Sequence, residues 1–251
     1  MMLMEKIKLK KDILTFFYKD FKFYFQSKMI YLLLVIYVSL CGAITLYASD
    51  FFANTTTNMY QFFKFQPGIW ALIIPAITMR LWADEYRQNT LEVILAQPIS
   101  YICVVLGKFL ASWAVVCIML IASMPIWWCV DLLTGTENLI VWGNYFIVFI
   151  MSGSLCAISF FVASICYNVL GAFLIGLVAC SAMISVSFKW MVDKLVPDSA
   201  VFMKLTNAFN FSLQYNDMIN GQISISSVLY FLLIIVFSLS FSIIAVNYKR
   251  N

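Results

Sequence analysis

The sequence predicts an all-α, polytopic membrane protein, and three observations lead there. The 251 residues are 63% hydrophobic and only 11% charged, with a mean hydropathy of +0.93, where a soluble domain has roughly 45–50% apolar and ~25% charged residues. The apolar residues gather into runs near the ~20-residue length that carries a helix across a bilayer. The charges fall almost all outside those runs, ten of them in the first 28 residues and five between two long runs from Arg80 to Pro98, RLWADEYRQNTLEVILAQP.

The first 28 residues carry seven lysines against three acids, with Ile13, Leu14, Phe16, Phe17, Phe21, Phe23 and Phe25 interleaved. No small-residue cleavage site follows a short apolar core, so the segment does not read as a signal peptide. Lysines mixed with aromatics fit an amphipathic interfacial helix over 1–28, its rings in the acyl boundary and its ammonium groups at the phosphates. A disordered basic tail is the alternative.

A single membrane domain follows over 29–251. Six spans are predicted from hydropathy at about 29–48, 67–81, 102–129, 141–166, 169–188 and 228–246. The second is short, with Pro67 at its start and Pro75 inside, which predicts a kink; Pro125 lies near the end of the third. Only Tyr167-Asn168 separates the fourth and fifth spans, so these pair antiparallel. The segment 82–101 is a cytoplasmic helical loop, because a charge at mid-bilayer costs roughly 2.5–3.5 kcal/mol on the lenient insertion scale. The external segment 189–227, with Pro197, Asn207, Phe209, Phe211 and Gly221, is too apolar for a solvated loop, and a re-entrant course would need protein around its backbone.

Lysine and arginine counts orient the chain. With the N-terminus cytoplasmic, Lys6, Lys8, Lys10, Lys11, Lys19, Lys22, Lys28, Arg80, Arg87, Lys108, Lys249 and Arg250 lie inside, and only Lys64, Lys189, Lys194 and Lys204 lie outside. Twelve against four is a positive-inside bias that puts both termini in the cytoplasm.

The search for chemistry narrows function by exclusion. The chain has no histidine, which removes imidazole acid–base catalysis and most zinc and haem ligation. Its seven cysteines contain no C-x-x-C pair and fall almost all within spans, as buried small side chains do. The only Gly-Lys, at 107–108, has Ile102 where a phosphate-binding loop needs its first glycine and Phe109 where it needs a hydroxyl. No span holds an Asp, Glu or Arg relay of the kind a proton-coupled pump uses. The chain is therefore expected to have no catalytic, metal or cofactor site of its own, and if it transports, its energy comes from elsewhere.

The stretch PAITMRLWADEYRQNTLEVILAQPIS resembles the signature of type-2 ABC exporter permeases, in particular the gliding-motility-associated subgroup. In that subgroup a span ending Pro-Ala-x-Thr-Met-Arg runs into E-x-x-x-G-T-L-E-x-L-L-x-x-P. Pro75, Ala76, Thr78, Met79, Arg80, Glu85, Thr90, Leu91, Glu92, Leu95 and Pro98 match it. Asn89 replaces the family glycine and Ile94 a leucine; Asn tolerates the left-handed conformation, so a helix ending at Asn89 and restarting behind Thr90 as N-cap keeps the turn. Lys19-Asp20-Phe21, Gly107-Lys108-Phe109 and Asn220-Gly221 extend the similarity over essentially the whole chain.

The resemblance implies a multi-pass permease subunit of the bacterial cytoplasmic membrane, paired as a homodimer or heterodimer. A cytosolic ABC ATPase would bind the ATP and Mg and hydrolyse for export. It also implies a coupling helix pressed on that ATPase, built from Arg80, Asp84, Glu85, Arg87, Asn89, Thr90, Leu91, Glu92, Leu95 and Pro98. Partners are then the ATPase, a second permease and the lipid bilayer, not nucleic acid, with the substrate unidentified. The competing expectation is a non-transporting scaffold that docks cytosolic proteins through the basic N-terminus and the charged loop. Small residues, Ser39, Gly42 and Ala43 in the first span, Ser152, Gly153, Ser154, Ala157 and Ser159 in the fourth, and Gly171, Gly176, Cys180 and Ser181 in the fifth, mark expected helix contacts.

Overall fold

The computed structural model describes residues 2–48, 59–87, 100–134, 138–185, 210–221 and 224–248. Among them are eight α-helices and no strand: α1 (Met2–Gln26), α2 (Lys28–Ala48), α3 (Tyr60–Arg87), α4 (Tyr101–Thr134), α5 (Asn138–Ile165), α6 (Val169–Ser185), α7 (Phe211–Ile219) and α8 (Ile225–Tyr248). Five helices, α2, α3, α4, α5 and α8, are long and apolar enough to cross a membrane, and α6 is a shorter apolar helix. The all-helical class is as the composition predicts. The fifth expected span is the shorter one: 17 residues of it are helical, and 186–188 lie outside the described residues.

The second expected span is longer than hydropathy indicated. α3 runs for 28 residues through both Pro67 and Pro75. Its two ends are polar, so a hydropathy window trims them, but packing rather than propensity holds a buried helix together. Proline's missing N–H also costs little here, because the carbonyl it would have bonded is used otherwise. Pro67 leaves Phe63 without its i+4 donor, and the Tyr215 hydroxyl on α7 donates to that Phe63 carbonyl at 2.7 Å.

α3, α4 and α5 form the centre; 78% of α3's apolar window is buried against 22% of α8's, which puts α8, with α2, at the periphery. The contacts follow the small residues. A Cβ on Gly153 of α5 would stand 2.8 Å from the Trp113 ring of α4, and one on Gly176 of α6 would stand 3.1 Å from Ser159 Oγ and 3.3 Å from Pro75. Ser152, Ser154, Ala157 and Ser159 are buried. Ser159 Oγ shares a 2.6 Å hydrogen bond with Thr78 Oγ1, joining α5 to α3. On α2 the small residues behave differently: Ser39 and Ala43 are exposed and Gly42 has open space around it.

Polar side chains close the helix ends. Ser27 alone separates α1 from α2, and its Oγ accepts from the Met29 amide at 3.4 Å, the N-cap bond. Residues 166–168 join α5 to α6, one residue more than expected because α5 stops at Ile165; Asn168 Oδ1 accepts from the Leu170 amide at 3.2 Å. Helices α5 and α6 pack side by side, as a connection this short requires.

Part of the expected external segment is described. α7 buries Phe211, Tyr215, Met218 and Ile219 against α3, α5, α6 and α8. Asn210 Oδ1 accepts from the Ser212 and Leu213 amides and caps its start. At its end Gly221 takes φ 85°, a left-handed turn that favours glycine. The Ser227 hydroxyl then donates to Gln214 Oε1, pinning the start of α8 to α7.

Candidate functional site

Where α1 meets the C-terminal part of α3 and the N-terminal part of α4, four charged side chains gather. α1 places Phe16, Asp20 and Tyr24 on one face at i, i+4 and i+8, the helical repeat that brings side chains into a row, and all three are buried. The Tyr24 hydroxyl donates to the Ile77 carbonyl of α3 at 2.9 Å. Phe16 lies on Gly107, where a Cβ would come within 2.7 Å of the Phe16 Cβ and 3.0 Å of the Ile13 carbonyl oxygen. Glycine at 107 is thus what lets α1 and α4 approach backbone to backbone.

That approach encloses the next residue. The Lys108 side chain is 1% exposed, and burying an ammonium costs several kcal/mol unless partners surround it. They do. Lys108 Nζ donates to Glu85 Oε1 at 2.8 Å and to the Leu81 carbonyl at 3.2 Å, and it pairs with Asp20 Oδ2 at 3.4 Å. It also stands 5.3 Å from the centroid of the Trp82 ring, close enough for a cation–π attraction. Glu85 Oε1 accepts in addition from Lys19 Nζ at 3.3 Å. Lys19 and Lys108 against Asp20 and Glu85 make a formally neutral set, which is how charges survive away from water.

The cluster is graded from inside to outside. Lys108 and Asp20 are shut in at 1% and 7% exposure, Glu85 sits between at 12%, and Lys19 reaches solvent at 55%. Trp82 and Phe109, each packed on Phe160 at ring distances of 5.6 and 6.3 Å, stand between the charges and the apolar core. Burial pushes the Asp20 carboxyl above its ordinary value of 3.8, although Lys108 beside it pulls the other way.

The residues expected on a charged loop divide. Arg80 lies on α3 and donates from its guanidinium to Ser27 Oγ at 3.4 Å, tying the α1–α2 corner to α3. Asp84, Glu85 and Arg87 fall on the last turns of α3, so the charged stretch begins as a continuation of a long helix and not as a separate loop. Tyr86 beside them donates to the Ser164 carbonyl of α5 at 2.9 Å. Asn89, Thr90, Leu91, Glu92, Leu95 and Pro98, with the turn at Asn89, lie outside the described residues.

Asp20 and Lys108 were not read as a site in the sequence, since each resembles one more charge near a membrane boundary. The available signal was Lys108 itself, a lone cation inside the apolar run 102–129, which requires an acidic partner from another segment. Its carboxylate partners come from α1 and from the end of α3, outside the apolar runs. No family model matches the chain, and no curated protein shows significant similarity to it.

Proposed function

We propose that the chain is the membrane-spanning permease subunit of an ATP-binding-cassette exporter, working with a separate ATPase at the end of the bundle that carries α1. The observation that carries this reading is the meeting of Lys19 and Asp20, Glu85, and Gly107 and Lys108 in one cluster that closes inward on Lys108. Each of these segments bears part of the sequence resemblance, and together they stand at the root of 88–99, where the rest of the coupling residues lie. A charged element fixed to α3 and α4 at its base transmits displacement to both, as rigid elements do when a bundle rocks between two arrangements. In this reading that end faces the cytoplasm, α6 is a sixth crossing, and two permeases share two ATPases.

Glu92 is the residue to test, because Glu85 also holds Lys108 and its removal would confound folding with coupling. Glu92→Ala should leave abundance unchanged while lowering ATPase co-purification or uncoupling hydrolysis from export. A preparation from the native host with no ATPase subunit, or one in which Glu92→Ala changes neither measure, would sink the proposal and favour a scaffold.

A further inference from the structure

α1 presents two rows of different chemistry. Asp12, Phe16, Asp20 and Tyr24, spaced by four, turn inward. Leu14, Tyr18, Phe21 and Phe25, spaced four, three and four, form a second row on another side of the helix. Of this second row Tyr18 is 66%, Leu14 44% and Phe25 37% exposed, and Phe21 is half-buried, its ring 4.9 Å from that of Phe25. Lys11 and Lys22, about three turns apart, border it and are exposed, whereas Asp12 and Asp20 belong to the inward row. An open face that is aromatic and basic together matches an anionic amphiphile in both parts.

The occupant follows from connectivity. Only Ser27 separates α1 from α2, whose apolar span begins at Lys28. The Tyr31 hydroxyl donates to the Phe25 carbonyl at 3.1 Å and Arg80 holds Ser27, so the corner is fixed. Lys22 and Lys28 therefore stand where a membrane-spanning helix leaves the bilayer. We infer that this face of α1 is a binding site for anionic phospholipid, with Lys22 and Lys28 on the headgroup phosphate and Tyr18, Phe21 and Phe25 against the upper acyl chains. The site depends on α2 crossing a membrane and not on any ATPase, so its failure and that of the proposed function can be told apart.

The full chain is reconstituted in nanodiscs of phosphatidylcholine with and without phosphatidylglycerol, and retained lipid is counted by native mass spectrometry. Wild type should retain phosphatidylglycerol selectively, and Lys22→Gln with Lys28→Gln should weaken retention about fivefold per lysine. Independently, a fluorophore on Tyr18→Cys, in a variant without the native cysteines, should be quenched by lipid-borne and not by aqueous quencher. Unchanged phosphatidylglycerol retention in the lysine variant would overturn the assignment. So would a Tyr18 probe open to water in nanodiscs, or one shielded only on adding a soluble acidic protein.

Discussion

Lys108 commits this fold to one arrangement of three helices. An ammonium 1% exposed is stable only while Glu85, Asp20 and the Leu81 carbonyl stay within reach, and breaking a buried pair from one side costs about 3–5 kcal/mol. Lys108→Met should therefore destabilise by about that amount, read from thermal unfolding in detergent. Adding Asp20→Asn should recover part of the loss, because it removes one of the two acids left behind; strict additivity of the two changes would disprove the coupling. Asp20 also predicts a pH effect with a definite sign. Its folded pKa lies above 3.8, so between 3.8 and that higher value the folded state binds more protons than the unfolded one. The cost of burying the ionised carboxyl is fully present above the window and is relieved as pH falls through it. Melting across the acid range should show this slope in wild type and its absence in Asp20→Asn. Lys108 in its apolar run announces the need for an acid, but which acids answer it was not legible one residue at a time, since 20, 85 and 108 are brought together by helix packing alone.

Among elements, α1 departs most from the sequence-based expectation. Its helicity and its mixed rows could be read from periodicity, but a helix resting only on headgroups would not need Gly107 beneath it. The tight contact with Phe16 and the Ile13 carbonyl makes a sharp test. Gly107→Ala should loosen α1 and raise proteolytic cleavage within residues 9–26, while Gly42→Ala, with nothing within 4 Å, should leave the digestion pattern unchanged. Equal behaviour of the two would show that α1 does not rely on the close approach. α3 teaches a related point. Hydropathy found its apolar middle and lost its polar ends, and neither proline ended it; at Pro67 the Tyr215 hydroxyl serves the carbonyl that the proline leaves open. Removing the hydroxyl that serves Phe63, by Tyr215→Phe, should cost about 0.6–2 kcal/mol in thermal unfolding. No loss at all would mean that the Phe63 carbonyl finds another donor.

For the whole molecule, the helical class and the five long apolar helices were legible because bilayer thickness writes itself into run length. What remained hidden was which faces meet, since every face of a membrane helix is apolar and small residues alone do not choose between a neighbour and lipid: those of α5 pack, with Gly176 and Cys180 of α6, and those of α2 do not. Orientation is a further property of the whole chain. The sequence places twelve lysines and arginines on one side and four on the other, and the segments of the larger group lead to the end of the bundle where α1, the end of α3 and the start of α4 come together. By the positive-inside rule this end is expected in the cytoplasm. Ser100 and Leu139 are exposed and precede or begin α4 and α5, helices that run in opposite directions, so they report the two ends. In a background without the seven native cysteines, Leu139→Cys should react with an impermeant thiol reagent in intact cells. Ser100→Cys should react only after permeabilisation. The reverse pattern would invert the topology and remove the cytoplasmic ATPase from consideration at the α1 end; equal labelling of both in intact cells would mean that the bundle does not separate them across a membrane.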